Sequence, residues 1–443
     1  MANQKNDSLE MPEFPEVSFD AAPLSEEELS ALQLEDPDLI ALVERLGSDA
    51  PDRPDKVMVP EDLENSGLSS GKLYGFLRLD SGYHVILGWE GREPVPELGA
   101  QEIGALLAGP KEAVEAAALR DPETALPFLA GFPEEGGLSF LLFDATHPEG
   151  FPLRKEIYTL RQSLFSRNSG LIETDWLDEK CAVISGVGSV GSCVALQLAR
   201  SGVGRFILVD TDCMEIHNVC RHQCGLNDVG RYKVDAIRER ILRINPRAQV
   251  RVFRRRIQEA DLDSCREWLS PRSALFIGTC DNRVGNAYAC DAAMAFGAPF
   301  IALGFMERAW AGEIFVYLPQ RHDICYRCAF HRQIEEDIEL ERRNHLYIDD
   351  GRAAEAHIVP GLDVDIEFGV SILDKLALDI LNLGNPDYVH RLLFKAGQFN
   401  YFCGTADRSE GEFWKKALPD PICFRPVRLD DSMRRCETCR SKA

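Results

Sequence analysis

The stretch Cys181-Ala-Val-Ile-Ser-Gly-Val-Gly-Ser-Val-Gly191 decides the fold, because an apolar run leads directly into a Gly-x-Gly-x-x-Gly turn. Residues 192–200 follow at once and have helix-forming composition. In such a turn Gly186 allows the tight reversal, Gly188 admits a phosphate to the backbone, and Gly191 lets helix and strand pack closely. The stretch therefore predicts a strand, a turn and a helix whose N-terminus can face an anion.

Two later apolar runs extend this pattern. Arg205-Phe-Ile-Leu-Val-Asp210 predicts a strand ending in an acid, about 20 residues after the turn, where a carboxylate accepts hydrogen bonds from ribose hydroxyls. Ala274-Leu-Phe-Ile-Gly-Thr-Cys-Asp281 predicts another, although Asp281 followed by Asn282 is by itself also typical of a turn or a helix cap. The runs predict a Rossmann-like, doubly wound, mainly parallel α/β sheet, which alone would suit an NAD-dependent dehydrogenase.

The segment after Asp210 points to different chemistry. It contains Asp212, Asn218, Arg221 and Lys233, so that an amide and two cations follow the second strand. A dinucleotide site needs few cations there, whereas Arg and Lys can offset the charge that builds up when pyrophosphate is displaced. Transfer of a nucleotidyl group therefore fits this segment better than hydride transfer.

These residues closely resemble the MoeB/ThiF and ubiquitin-activating (HesA/MoeB/ThiF) family of adenylyltransferases, including relatives that activate the C-terminus of short peptides. The family's Asn-x-x-Arg-Gln motif is present with His222 inserted before Gln223, and its Val-Gly-x-x-Lys motif is intact at residues 229–233. The resemblance implies that Asp210 binds the ribose of ATP and that Asp281 holds Mg²⁺, a hard cation that needs few protein ligands. The cofactor-binding residues that we expect are Gly186, Gly188, Gly191, Asp210, Asp212, Asn218, Arg221, Lys233 and Asp281.

The resemblance also implies a homodimer. In the family, the arginine of an Arg-Gln pair reaches into the nucleotide site of the neighbouring subunit. Arg161 matches this arginine, with Arg167 as an alternative. The candidate catalytic residues are therefore Arg161, Arg221, Lys233 and Asp281.

Two Cys-x-x-Cys knuckles lie far apart in the chain, formed by Cys325 with Cys328 and by Cys436 with Cys439. This is the spacing at which paired thiolates share a tetrahedral Zn²⁺, and four thiolates leave no open position for a substrate. The sequence therefore predicts a structural zinc site, with a redox pair or free thiols as the alternatives.

The composition limits the partners and the compartment. The 443 residues carry a formal net charge of -23, which argues against a nucleic-acid partner or a membrane-surface partner. The basic run 251–257 is interpreted as solvated surface. No export signal opens the chain and no apolar run approaches the roughly 20 residues of a membrane span, so we expect a cytoplasmic protein with reduced cysteines.

The sequence divides into three predicted parts. Residues 1–66 are acidic and rich in Pro and Ser, which is typical of a largely flexible arm. Residues 67–150 contain a hairpin pattern at 73–79 and 83–89, helix-like stretches at 99–107, 111–119 and 124–129, and an apolar run at 138–143. We expect a small α+β recognition domain there, with a winged-helix-like fold as one option, and an adenylation domain with the zinc knuckles over 151–443.

The resemblance therefore implies ATP-dependent adenylation of the C-terminal carboxylate of a ubiquitin-like or sulfur-carrier protein, in a bacterial conjugation pathway with a downstream conjugating protein as a further partner. Family members that also form a thioester usually carry a cysteine in the crossover segment, but residues 329–360 contain none. Cys220, Cys224, Cys403 and Cys423 are the other candidate thiols, and each is better explained as a buried or idle thiol. Adenylation of a ribosomally made peptide and a catalytically idle scaffold are the two other hypotheses.

Overall fold

The computed structural model describes most of the chain from Lys56 onward, and its strands form two sheets that follow each other in sequence. The described residues are 56–78, 83–90, 92, 104–107, 128–144, 147–159, 163–172, 174–321, 323–347, 361–404, 418, 420, 422–429, 435–437 and 439. The first 55 residues of the predicted arm and most of the predicted helices between 99 and 127 lie outside them.

The first sheet contains eight strands in the order β7-β6-β5-β4-β2-β3-β1-β8. Its strands are Lys56–Pro60 (β1), Gly71–Arg78 (β2), Tyr83–Trp89 (β3), Gly104–Leu107 (β4), Phe128–Glu134 (β5), Gly137–Asp144 (β6), His147–Pro152 (β7) and Arg154–Tyr158 (β8). A one-turn helix, Glu61–Glu64 (α1), follows β1, and its Leu63 is buried with Val57 and Val59 in the core of this sheet. The predicted hairpin is formed by β2 and β3, which pair antiparallel.

This sheet corrects the sequence prediction in four places. β1 pairs with β3 and β8, so residues 56–60 belong to the sheet and α1 packs on it, and neither is part of an acidic arm that ends at 66. β4 and the start of β5 are strands where the sequence predicts helices, and they pair parallel with each other. β8 extends the sheet past the expected boundary at 150, and eight strands in one sheet replace the winged-helix option for the described residues. The physical reason is that pairing with distant strands outweighs local helix propensity.

The second sheet is the expected Rossmann-like sheet, in the order β11-β10-β9-β12-β13-β14-β15-β16. Its strands are Cys181–Ser185 (β9), Arg205–Val209 (β10), Gln249–Phe253 (β11), Ala274–Gly278 (β12), Phe300–Phe305 (β13), Ala311–Tyr317 (β14), Phe399–Cys403 (β15) and Cys423–Val427 (β16). The strands from β11 to β13 in this order are parallel, and the last three are antiparallel. The chain proceeds outward from β9 to β11 and then resumes on the other side with β12. Ligands of such sheets bind at this switch point, outside the carboxyl ends of the strands.

Helices cover both faces of the second sheet, as a doubly wound fold requires. Their bounds are Thr174–Asp178 (α2), Ser189–Arg200 (α3), Lys233–Ile244 (α4), Arg283–Ala295 (α5), Tyr326–Ala329 (α6), His331–Tyr347 (α7) and Asp363–Leu381 (α8). Residues of α3, α4 and α8 pack with Ala182 and Ile184, whereas residues of α5, α6 and α7 pack with Cys181 and Val183. Alternate residues of β9 thus face two different cores, which is why its sequence is apolar throughout. Within the described residues, no helix combines the length and apolar character needed to span a bilayer.

Candidate functional site

The glycine turn between β9 and α3 is closed by contacts that leave no room for side chains on its inner side. Gly186 has a φ of +90°, and a Cβ there would lie 2.8 Å from the carbonyl oxygen of Thr279. A Cβ on Gly191 would lie 1.9 Å from the carbonyl oxygen of Gly186. At Gly188, in contrast, a Cβ would meet nothing within 4 Å, and no described side chain caps the start of α3. The turn is therefore open at the helix N-terminus, where an anion is stabilised.

Asp210 follows β10 and is held by the glycine turn itself. Its carboxylate accepts hydrogen bonds from the backbone N–H groups of Val187 (2.6 Å) and Asp212 (2.9 Å). Burial raises the pKa of Asp210, while these two amide bonds and Lys233 oppose that shift. The carboxylate is thus fixed beside the turn, where a ribose hydroxyl could donate to it.

Lys233, the first residue of α4, is linked to Asp210 through Asp212. Its Nζ lies 2.9 Å from Oδ2 of Asp212, and its backbone N–H donates to the carbonyl oxygen of Asp212 (3.0 Å). The lysine is buried, whereas the Asp212 side chain is 63% exposed, so the ammonium group approaches solvent at this carboxylate. A polyphosphate could replace the exposed carboxylate as the partner of the ammonium group.

Asn218 and Arg221 lie in a short helical turn beyond β10. Oδ1 of Asn218 accepts a hydrogen bond from the N–H of Glu215 (3.0 Å), and the N–H of Arg221 donates to the carbonyl oxygen of Asn218 (3.0 Å). Gly361 lies beside both Arg221 and Ala309, because a Cβ on Gly361 would be 3.9 Å from Nη1 of Arg221 and 3.3 Å from Cβ of Ala309. Since Ala309 follows β13, the Arg221 guanidinium lies at the carboxyl edge of the sheet.

His222, the residue inserted before Gln223, is buried and connects this segment to the glycine turn. Its Nε2 lies 2.8 Å from the carbonyl oxygen of Val187, and its Nδ1 accepts a hydrogen bond from the N–H of Cys224 (3.1 Å). Because Nδ1 accepts, the ring is neutral and donates from Nε2. Burial lowers the pKa of His222, which favours this neutral form. The sequence shows the insertion but carries no signal of the contact with Val187.

Polar contacts that the sequence motifs do not reveal support the Arg221 segment. The side chain of Gln223 donates to Oε1 of Glu367 on α8 (3.2 Å), and the carbonyl oxygen of Gln223 accepts from Nε of Arg240 on α4 (2.8 Å). Arg240 also pairs with the buried Asp228 (2.7 Å). These bonds tie the segment to two helices, and they depend on tertiary contacts that sequence spacing does not reveal.

Asp281 follows β12, which is the neighbour of β9 in the sheet. Oγ1 of Thr279 donates to the carbonyl oxygen of Gly186 (2.6 Å) and so joins this strand end to the glycine turn. Asp281 is exposed, and its Oδ1 accepts a hydrogen bond from Nδ2 of Asn282 (3.1 Å). One carboxylate beside a turn that is open to an anion fits Mg²⁺, which binds one or two carboxylates together with phosphate oxygens and water. The glycine turn, Asp210 and Asp281 therefore share one edge of the sheet.

The expected cross-subunit arginine, Arg161, lies outside the described residues. Its alternative, Arg167, is exposed, and the neighbouring Asn168 donates to the carbonyl oxygen of Arg200 (2.8 Å). Arg200 ends α3, so Asn168 contacts the end of this helix that is opposite the glycine turn, about 18 Å away along the helix axis.

The four knuckle cysteines lie together at the start of α6. Their Sγ atoms are all within 4.8 Å of one another, with separations of 3.5 Å for Cys325 and Cys328, 3.8 Å for Cys325 and Cys436, and 3.9 Å for Cys328 and Cys439. A tetrahedral zinc with Zn–S distances of about 2.3 Å places its sulfurs about 3.8 Å apart. The backbone N–H groups of Cys325 and Cys436 donate to two of these sulfurs, which favours thiolates. The cluster fits a closed zinc site, and no other described side chains form a comparable metal cluster.

The remaining candidate thiols differ in their surroundings. Cys220 is exposed, whereas Cys224 is buried and its burial raises its pKa to about 12. Cys403 and Cys423 lie opposite each other on β15 and β16. Burial also raises the pKa of Cys423. Because thioester formation needs a thiolate, neither Cys224 nor Cys423 is activated as a nucleophile.

A cavity of about 570 Å³ lies at the end of β11, beside Asp210. Its lining includes Phe253, whose carbonyl oxygen accepts a hydrogen bond from the N–H of Asp210 (3.1 Å). Arg254 and Arg255 also line it and are exposed, in agreement with the surface position predicted for the basic run.

Comparison with protein families identifies the part of the chain that holds this site. Residues 161–349 match the model of the ThiF family. The chain carries a ThiF-family domain. The matched residues include the glycine turn, Asp210, Asp281 and the first cysteine knuckle, whereas the second knuckle lies beyond them.

The chain with this ThiF-family domain is also similar to parts of several curated relatives. It is 46% identical over 90 residues to tRNA threonylcarbamoyladenosine dehydratase of Bacillus subtilis (strain 168), which covers 19% of this chain and 35% of that protein. It is 39% identical over 89 residues to ubiquitin-like modifier-activating enzyme 5 of Caenorhabditis elegans, with coverage of 20% and 21%. It is 29% identical over 157 residues to sulfur carrier protein ThiS adenylyltransferase of Escherichia coli (strain K12), with coverage of 34% and 58%. The chain thus spans less than two thirds of the length of each of these relatives.

Solved structures show a weaker likeness. The crystal structure of E. coli MccB with ATP is 18% identical, with a TM-score of 0.44, and the match covers 62% of this chain and 75% of that chain. A likeness at this level carries no inference about the substrate of the ThiF-family domain.

Proposed function

We propose that this protein uses ATP to adenylate the C-terminal carboxylate of a ubiquitin-like or sulfur-carrier protein. The observation that carries the proposal is the convergence of the glycine turn, Asp210 and Asp281 at one edge of the sheet. A nucleotide with its ribose at Asp210 would extend its phosphates over the start of α3, towards Lys233 and Arg221. Two relatives, by their names, activate a ubiquitin-like modifier and adenylate a sulfur carrier, which favours this substrate class here.

The proposed reaction needs no nucleophile from the protein. A carboxylate oxygen of the substrate attacks the α-phosphate of ATP, the bond from that phosphorus to the bridging oxygen breaks, and pyrophosphate leaves with the electron pair. Asp281 would hold Mg²⁺, which offsets charge on the phosphates when it is bound. Arg221, Lys233 and Asn218 stabilise the charge that grows on pyrophosphate, and the backbone at the start of α3 orients the phosphates.

Other parts of the molecule take supporting roles in this proposal. Zn²⁺ in the four-cysteine site would be structural, because four thiolates leave no position for a substrate. In a homodimer, Arg161 of each subunit would serve the nucleotide site of the other. The glycine turn, Asp210 and Asp281 form what we call the nucleotide edge of the second sheet. The N-terminal sheet is a candidate surface for the substrate protein, since its strands are separate from those that form this edge.

Exchange of labelled pyrophosphate into ATP tests the proposal. The purified full chain is mixed with ATP, Mg²⁺ and either glycine-ended ubiquitin-like proteins or short peptides encoded beside its gene. We expect exchange with a glycine-ended protein, and Asp281→Ala should lower its rate by about 10²–10³-fold, the loss typical of removing one group that stabilises transition-state charge. Thermal unfolding of this variant should be unchanged because Asp281 is exposed. Asp263→Ala, an exposed carboxylate in another segment, is the matched control.

The outcomes separate the competing hypotheses. Exchange that only a short peptide supports would make the peptide the substrate. Failure to bind ATP with Mg²⁺ would indicate a scaffold, and preferential binding of NAD would restore the dehydrogenase hypothesis. Near-normal exchange by Asp281→Ala would remove this residue from the metal site.

A further inference from the structure

Arg283, the first residue of α5, follows Asp281 closely in sequence but makes its contacts elsewhere. Its guanidinium forms an ion pair with Glu313 on β14 and donates to Oη of Tyr326 (3.4 Å). It also lies over the ring of Phe330, 4.4 Å from the centroid. Tyr326 is buried and the Glu313 side chain is only 13% exposed, so the start of α5 is anchored to interior groups.

The start of α5 in turn holds Asp281. Nδ2 of Asn282 donates to Oδ1 of Asp281 (3.1 Å), and Oδ1 of Asn282 caps the helix by accepting from the N–H of Gly285 (2.7 Å). Oδ1 of Asn286 accepts a hydrogen bond from the N–H of Cys280 (3.1 Å), so the residue before Asp281 is also bonded to α5. A shift of the start of α5 would therefore move the Asp281 carboxylate.

We propose that Arg283 is a positioning residue for Asp281, which it serves by anchoring the start of α5 to β14 and to the cysteine knuckle. Tyr326 follows Cys325 directly in sequence, so the anchor ends on the knuckle helix α6. This inference rests on the proposed function, in which Asp281 holds Mg²⁺. Mutation of a group that orients a metal ligand commonly lowers metal affinity by about 10-fold to 100-fold.

A second contact between the same two helices supplies a matched control. Arg327 on α6 pairs with Asp291 on α5 (2.6 Å) and lies over Tyr288, 5.3 Å from the ring centroid. It has the same chemistry as the Arg283 anchor, but it joins α5 about 12 Å further along the helix axis. If α5 only has to be attached to α6, both contacts should matter. If the anchor positions Asp281, Arg283 alone should matter.

The variants are made in the full chain. Arg283→Met combined with Glu313→Met removes both charges, and replacement of a largely buried ion pair by apolar side chains is often neutral for stability. Arg283→Lys keeps a positive charge but loses the planar group that stacks on Phe330 and reaches two partners at once. Arg327→Met is the control.

Two measurements distinguish positioning from stability. Hydrogen–deuterium exchange of the Gly285 amide, which Asn282 protects, is measured without nucleotide or metal. Affinity for Mn²⁺ is measured by electron paramagnetic resonance in the presence of a non-hydrolysable ATP analogue. We expect the double variant to keep its unfolding temperature, to exchange the Gly285 amide faster, and to bind Mn²⁺ about 10-fold more weakly. Arg283→Lys should give an intermediate loss, and Arg327→Met should behave like the wild type.

Wild-type Mn²⁺ affinity in a stably folded double variant would overturn the inference, and so would an equal loss in Arg327→Met. If the double variant does not fold, Arg283→Lys decides the question by the same two measurements. Pyrophosphate exchange by the wild type is assayed separately. If exchange fails while the Mn²⁺ result holds, the proposed adenylation is wrong and the positioning role of Arg283 stands.

Discussion

The nucleotide edge and the cysteine knuckle are built in opposite ways on one sheet. At the edge, an exposed side chain such as Asp281 rests on a frame of tight backbone contacts, which includes the 2.6 Å bond from Thr279 to Gly186. In the knuckle, the functional atoms belong to the core, since Cys325 is 1% exposed and packs in one cluster with Phe330. We therefore expect substitution of an exposed side chain at the edge to lower activity without destabilising the fold, whereas substitution of a knuckle cysteine should destabilise the fold.

Among these predictions, Cys325→Ser should have the largest effect on stability, because it replaces a buried cysteine of the knuckle. A hydroxyl is a poor replacement for a thiolate in a four-cysteine site, so we expect the variant to lose its zinc. Loss of a structural metal belongs to the class of changes that cost more than about 4 kcal/mol of unfolding free energy. Metal analysis by mass spectrometry and thermal unfolding measure the two effects.

Cys265→Ser is the control for this prediction. Cys265 is 3% exposed and lies outside the metal cluster, so the exchange of sulfur for oxygen is the same but no ligand is lost. The variant should keep its full zinc content. Full zinc content in Cys325→Ser would instead show that the knuckle does not bind zinc through all four sulfurs.

Alanine substitutions at two glycines of the same turn should separate the effect on stability from the effect on ATP binding. Gly191→Ala places a Cβ 1.9 Å from the carbonyl oxygen of Gly186, so the backbone must shift, at a cost of about 1–3 kcal/mol in stability. Gly188→Ala meets nothing within 4 Å at a φ of -77°, and it should leave stability within about 0.5 kcal/mol. Its methyl group would nevertheless occupy the open side of the turn.

ATP titration of Gly188→Ala completes this comparison. We expect binding to weaken by at least about 10-fold, which is the effect of losing one hydrogen bond to a charged group worth about 1.5 kcal/mol. Urea unfolding and ATP titration on both variants measure the separation. Unchanged ATP affinity in Gly188→Ala would place the phosphates away from the turn.

The sequence predicts the second sheet well because its signals are steric and local. β9 is buried on both faces and is therefore apolar throughout, and the tight approaches at Gly186 and Gly191 exclude every other residue type. The repeated Cys-x-x-Cys spacing likewise predicts a shared site, although Cys325 and Cys436 are distant in the chain.

Within the first sheet, β1, β4 and the start of β5 are predicted poorly because their signals are not local. Gly104–Leu107 has good helix-forming residues, yet it forms a strand between β2 and β5. β1 follows an acidic stretch and ends at Pro60, so its pattern resembles a flexible arm until its pairing with β8 is known. His222 shows the same limit within the site, since the insertion acquires its role only through contact with Val187.

The remaining effect expected at the nucleotide edge is a change in the pH dependence of stability in His222→Gln. Neutral His222 donates to Val187 and accepts from the N–H of Cys224, and a proton on Nδ1 would face that N–H. Burial lowers the pKa of His222 below its ordinary value of 6.5 in the folded state, so the unfolded chain binds this proton more readily. The stability contributed by the neutral ring is therefore fully present above pH 6.5 and is lost as the pH falls from 6.5 to the folded-state pKa.

Glutamine can donate and accept hydrogen bonds without titrating. His222→Gln should therefore separate the effect of the hydrogen bonds at this position from the effect of protonating the ring. Above pH 6.5 we expect a loss of about 1–3 kcal/mol from imperfect pairing of the Val187 carbonyl. Below it, the variant should lose less stability than the wild type, because the titrating group is gone. Urea unfolding across this pH range measures the wild type and His222→Gln. Identical slopes for the wild type and His222→Gln would show that the frame under the nucleotide edge does not depend on a neutral His222.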